Sequence, residues 1–135
     1  MKILRFIVFV FILSVLKGCI PVVDESVTLS FWTDNDIEGE GYNMFFINER
    51  YIGDLSDTLV NPICSDPGLL EFESKKSEDL TLSVRNIDGE SIEIGVVNLF
   101  SVSTGIKIKP SEKGDIFVDQ SLDDICTLIR LNWEE

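Results

Sequence analysis

The chain has 135 residues, 24 acidic against 11 basic side chains and no histidine, for a formal charge of −13. A charge of that sign leaves no basis for nucleic-acid binding, where affinity comes from Lys and Arg on phosphates. Without histidine there is no Ser-His-Asp or Cys-His catalysis and no ordinary catalytic zinc site.

Residues 1–18 read as an export signal. Lys2 and Arg5 precede an apolar run of eleven residues, 6–16. A membrane-spanning helix needs roughly 20 residues, whereas a signal-peptide core needs about 7–15. Leu16, Gly18 and Cys19 follow the Leu-x-Gly-Cys pattern of a bacterial lipobox, which is cut just before a cysteine that carries lipid. Lys17 departs from it, because a small uncharged residue usually stands there. The expectation is a lipoprotein-type signal peptide over 1–18 and lipidation at Cys19. The alternatives are an ordinary cleaved signal, or an uncleaved anchor with Cys19 free or paired. Several acyl chains on Cys19 would hold the protein at a bilayer, since each buried CH₂ adds about 0.8 kcal/mol and one chain alone holds weakly. The protein is then expected in the bacterial cell envelope, anchored to a membrane, the outer one in a Gram-negative cell.

Three of the eleven bases (Lys2, Arg5, Lys17) lie before Cys19 and all the acids lie after it. Removing those three from a charge of −13 leaves −16 for residues 19–135. That stretch is long enough for one core. Its acidity suits solubility; cation binding or a basic partner are the other readings. If Cys19 carries lipid, Cys64 and Cys126 remain. Outside the cytoplasm such a pair is expected to oxidise, the alternative being two buried free thiols. Zinc is not expected, because the thiols do not cluster and no histidine joins them.

Residues 19–26 form a short lipid-proximal tether, and 27–135 the folded domain. Residues 27–32 (VTLSFW) alternate apolar and polar, the mark of a half-buried strand. Residues 33–41 are an acidic, turn-rich loop. Residues 42–47 and 51–55 read as strands joined by a tight turn at Asn48-Glu49-Arg50, a hairpin without the favoured Asn-Gly pair. An irregular stretch, 56–68, holds Pro62, Cys64, Pro67 and Gly68. Strands are expected at 69–73, 80–85, 91–100, 106–109, 116–118 and 126–133, with one helical turn at 121–124. Strand signals spaced by turns and no sustained helical period predict a small all-β, antiparallel sandwich of seven or eight strands.

These residues support a comparison. The runs 27–33 (VTLSFWT), 44–48 (MFFIN) and 51–55 (YIGDL) are followed by Cys64 in a Ser/Pro/Gly loop and by 124–131 (DICTLIRL) at the end. This pattern resembles a group of small secreted or lipid-anchored β-sandwich proteins of Bacteroidota, similar to PEGA-type domains. The chain departs from it at Glu49 and Arg50, where a turn glycine is usual, and in 80–85, which lacks the customary aromatic residue. The resemblance implies a small antiparallel sandwich with Cys64 paired to Cys126. The group has no established enzymatic activity, so the resemblance bears on fold and not on function.

Asp34, Asp36 and Glu38 before Gly39 match the first half of an EF-hand loop, but the Glu needed at its twelfth position is Phe45. What remains is a weak calcium candidate, or an acidic loop whose Asn and Asp serve turn geometry. Trp32 and Trp133 are candidates for stacking on a sugar or anchoring a partner, against packing at a sheet rim. Tyr42, Met44 and Phe46 share one face of a strand whose other face carries Phe45 and Ile47. Apolar residues on both faces suggest a covered central strand or an exposed contact patch. No cofactor motif is present; Gly39-Glu40-Gly41 is not a phosphate loop. The functional expectation is a non-enzymatic binding or structural module for protein or glycan, held to a membrane through Cys19. The alternative is a small envelope hydrolase using paired carboxylates, or an enzyme inhibitor.

Overall fold

The computed structural model describes residues 26–37, 41–75, 78–101, 105–119 and 126–135. The signal 1–18, Cys19, most of the tether, Glu38 and the helical turn at 121–124 lie outside the described residues.

Among the described residues nine strands form: β1 (Ser26–Trp32), β2 (Met44–Ile47), β3 (Arg50–Asp54), β4 (Leu70–Lys75), β5 (Asp79–Arg85), β6 (Ser91–Ser101), β7 (Gly105–Pro110), β8 (Gly114–Val118) and β9 (Thr127–Trp133). They build two sheets, β4-β1-β9-β8 and β3-β2-β5-β6-β7. The expected all-β sandwich is the fold, with one strand beyond the expected count. All pairings are antiparallel except one: β1 and β9 run parallel, Leu29 opposite Thr127 and Trp32 opposite Arg130. The first and last described strands therefore lie side by side in the middle of the smaller sheet.

Period-two alternation decides the faces. In β1, Leu29 and Phe31 enter the core; in β9, Ile129, Leu131 and Trp133 do. Phe45 and Ile47 of β2 and Leu80, Leu82 and Val84 of β5 face them from the other sheet. Phe31 and Phe45 meet across the sandwich with ring centroids 4.9 Å apart. The β2–β3 hairpin turns on two residues, Asn48 and Glu49, both with positive φ (51° and 66°). Asn tolerates this region and Glu does not by itself. Asn48 is held there by β5: its backbone N–H donates to Thr81 O (2.9 Å) and its Oδ1 accepts from Thr81 N (2.8 Å).

Among the described residues the ladders shift register in three places, between β2 and β3, between β5 and β6, and between β6 and β7; the β5–β6 shift shapes the core. Leu82 opposes Gly95 and Ser83 opposes Glu93, so Ile94 is an extra residue in the ladder. This bulge lets Ile92 and Ile94, then Val97 and Leu99, all reach the core despite their odd spacing. The chain passes between sheets four times, from β1 to β2, β3 to β4, β4 to β5 and β7 to β8; β3 to β4 joins the edge strands at one side of the sandwich and β7 to β8 those at the other. Beside the β7–β8 crossing the backbones touch: a Cβ on Gly114 would stand 2.3 Å from Ile94 O and 2.5 Å from its Cα. Neither neighbour is a movable side-chain end. Gly114→Ala is expected to cost about 2–3 kcal/mol through overpacking, read as a lowered urea midpoint. An unchanged midpoint would refute the tight seam.

Candidate functional site

The site is built on the outer face of the four-stranded sheet. In the parallel β1–β9 register, Ser30 stands opposite Leu128 and Trp32 opposite Arg130. Since Phe31 and Ile129 face the core, these four face outward. Just beyond β1, Thr33 is fully buried. Its hydroxyl donates to Leu131 O (2.7 Å) and accepts from Asn35 N (3.0 Å). Asn35 Nδ2 donates to Trp133 O at 2.9 Å. These bonds lock the start of the acidic loop onto β9 and set Asp34 beside Arg130.

Arg130 is held from three sides. Its Nη1 lies 3.3 Å from Asp34 Oδ2 and its Nε 3.7 Å from Asp119 Oδ2. The guanidinium sits 4.3 Å over the ring of Phe117, its cross-strand neighbour on β8. Asn132, its amide turned so that nitrogen donates, reaches Asp34 Oδ1 at 2.7 Å. Arg130 is partly shielded from water, so this arrangement is worth more than an open surface pair.

The opposite wall is the β3–β4 connection. Cys64 on it is disulfide-bonded to Cys126 just before β9, with Cα atoms 5.9 Å apart. Asp66 Oδ2 accepts from Ile63 N at 2.9 Å, which tightens the turn around the bridge. Ile63 projects from this turn and is 66% exposed. Between the walls is a cleft of about 710 Å³. Its floor is Trp32 and Leu128, its loop wall Asn61, Pro62 and Ile63, and its charged wall Asp34, Asp119 and Arg130. Trp32 is only 6% exposed, and among the described residues its buried Nε1 has no hydrogen-bond partner; the same holds for the hydroxyl of Ser30.

The residues singled out from sequence separate. Trp32 lies in the cleft floor, as part of the sheet rather than as an open stacking platform. Trp133 is a core residue at 8% exposure, the packing alternative: β9 alternation turns it inward with Ile129 and Leu131. Phe46 is on the outer face of the other sheet, its ring 4.0 Å beneath the Arg85 guanidinium and 5.6 Å from Tyr51. Glu49 pairs with that Arg85. The apolar outer face of β2 is thus partly covered by its own neighbours. Asp34 is committed to Arg130 and Asn132, Asp36 is exposed, and Glu38 is outside the described residues. Among the described residues no three acidic or sulfur side chains gather to hold a metal ion.

The chain's two tyrosines both donate to carboxylates: Tyr42 to Glu90 Oε2 (2.9 Å), Tyr51 to Asp54 Oδ1 (2.7 Å). Each acceptor retains the phenolic proton, and each pKa is raised above the ordinary value of about 10. Folding therefore favours the protonated phenols. The stability they add is present below about pH 10 and is lost as pH rises through the raised values. A spectrophotometric titration is expected to show both phenols ionising later than in the unfolded chain. Asp54→Asn should bring Tyr51 back toward 10, and no change in that variant would refute the assignment.

Arg130, Asp119, Leu128 and Ile63 carry the cleft and were not evident beforehand. The alternation of β9 could have marked Arg130 and Leu128 as sharing an outward face, but not what stands opposite them. Comparison with family models, curated proteins and solved structures returned no match to this chain.

Proposed function

We propose that this protein is exported, anchored in the cell envelope through lipid on Cys19, and acts as a non-enzymatic binding module whose protein or glycan ligand occupies the cleft beside Arg130. The observation that carries this reading is the Cys64–Cys126 bridge, which joins the two walls of the cleft. Disulfides persist in oxidising compartments, and this one holds in place the loop that presents Ile63. The leader points to the same compartment, and the resemblance to small envelope sandwiches supports it. The lining has both apolar and charged groups, as ligand sites commonly do.

The test is intact-mass analysis of the protein extracted from membranes. The expected product starts at Cys19 and carries acyl chains, and Cys19→Ala moves it to the soluble fraction. A retained Met1, or an unmodified terminus elsewhere, overturns the anchor.

A further inference from the structure

We propose that the cleft between Trp32, Ile63 and Arg130 binds a neutral polyhydroxyl ligand, a segment of uncharged glycan, in preference to an anion, a cation or a peptide. This deepens the binding-module reading and rests on it.

The argument starts from the charged wall. Arg130 spends Nη1 on Asp34 and Nε on Asp119. Among the described residues, Arg130 Nη2 and Asp119 Oδ1 have no partner. One ion pair thus presents an unused donor and an unused acceptor, both held by the pairing itself. The three charges sum to −1. An anion would gain Arg130 but meet two carboxylates, and like charges at close range disfavour it. A cation would gain the carboxylates but meet the guanidinium. A hydroxyl group both donates and accepts, so neighbouring hydroxyls on one ring can use both unused groups without breaking the ion pair. Charge-assisted hydrogen bonds of this kind are the stronger ones.

A second observation is independent of the charges. Trp32 and Leu128 make the floor of the cleft apolar. Ile63, exposed on the facing wall, offers apolar surface to the C–H side of a sugar ring. At about 710 Å³ the cleft is within the range of small-ligand sites, roughly 300–1,000 Å³. The disulfide keeps its walls at a set distance, which reduces the ordering cost of binding.

The experiment is titration of the full-length protein in detergent with cellohexaose, mannohexaose, maltohexaose and xylohexaose. Hexagalacturonate, chitosan hexamer and a Lys-rich peptide serve as charged counterparts, with calorimetry and tryptophan emission as readouts. Saturable binding of at least one neutral hexaose is expected, stronger than any charged probe. Arg130→Leu is expected to weaken it about tenfold or more, the loss of one charge-assisted hydrogen bond. Because Arg130→Leu also strands two carboxylates, Asp119→Asn and Ile63→Ser, at more exposed positions, are the second variants and should weaken binding in the same direction. Lys107→Gln, on the other sheet, should leave it unchanged. Binding of only the charged sugars or the peptide overturns the proposal. So does binding that the cleft variants leave intact, and so does the absence of binding by every neutral hexaose. None of these outcomes touches the envelope reading, which stands or falls on the mass of the Cys19 terminus.

Discussion

Removing the Cys64–Cys126 bridge is expected to lower the stability of the folded domain by about 4 kcal/mol. The bridge joins residues 62 apart in the sequence, and closing a loop of that length removes much of the freedom of the unfolded chain. Small domains have only about 5–15 kcal/mol in total, so the loss is a large fraction of what holds this one together. The native contacts of Cys126 make the effect local as well as global. It precedes β9, whose Leu128 and Arg130 line the cleft, while Cys64 follows Pro62 and Ile63 on the opposite wall. Urea unfolding with and without reductant, and of the Cys64→Ser/Cys126→Ser double variant, measures the loss directly. Reduction should also raise the accessibility of Trp32 to a collisional quencher while Trp133, in the core, stays protected. A midpoint shift equivalent to less than about 1 kcal/mol would show that the bridge closes a loop already ordered in the unfolded chain. Unchanged Trp32 quenching would show that the loop holds its place without it.

Phe31→Ala is expected to cost about 3–5 kcal/mol. Phe31 is fully buried on β1, and its ring meets Phe45 of the opposite sheet with centroids 4.9 Å apart. The loss has two parts, the apolar surface no longer buried and the cavity left between the sheets. Ile129 opposite it on β9 and Phe45 across the sandwich belong to two hydrogen-bonded sheets and cannot collapse far into the space. Phe31→Leu keeps most of the volume and should cost clearly less. Denaturant unfolding of both variants gives the comparison. Equal losses for the two would argue against a cavity and for a specific ring–ring contact. A loss for Phe31→Ala below about 1 kcal/mol would mean that the sandwich repacks around the gap.

Some of this architecture is legible in the residues. The alternation in 27–32 and 80–85 marks one face of each strand for the core, because successive side chains on a strand point to opposite sides. Leu29 with Phe31, and Leu80, Leu82 with Val84, are buried accordingly. The turn at Asn48-Glu49 is readable from Asn, but its conformation is secured by Thr81 of β5, 33 residues later in the chain. In 91–100 the apolar residues follow no simple period. The bulge beside Gly95 that reconciles them depends on where β5 and β7 lie, and no local rule states that. Trp133 shows the same limit from the other side. Its residue type alone left stacking and rim packing both open, and β9 alternation and the facing sheet place it in the core.

What the amino-acid sequence determines alone is the all-β class, the approximate position of the strands and which face of most of them is apolar. These follow from the two-residue period of an extended chain and from turn chemistry, both of which act over a few residues. The tertiary structure decided the rest. The parallel pairing of β1 with β9 joins residues nearly 100 positions apart, and it alone puts Trp32 beside Arg130. The crossing from β3 to β4, held by Cys64, alone puts Ile63 across from them. Hydrogen-bonded pairing between distant strands is chosen by the total burial and register of the whole sandwich, not by either strand. The cleft exists only where those long-range choices meet.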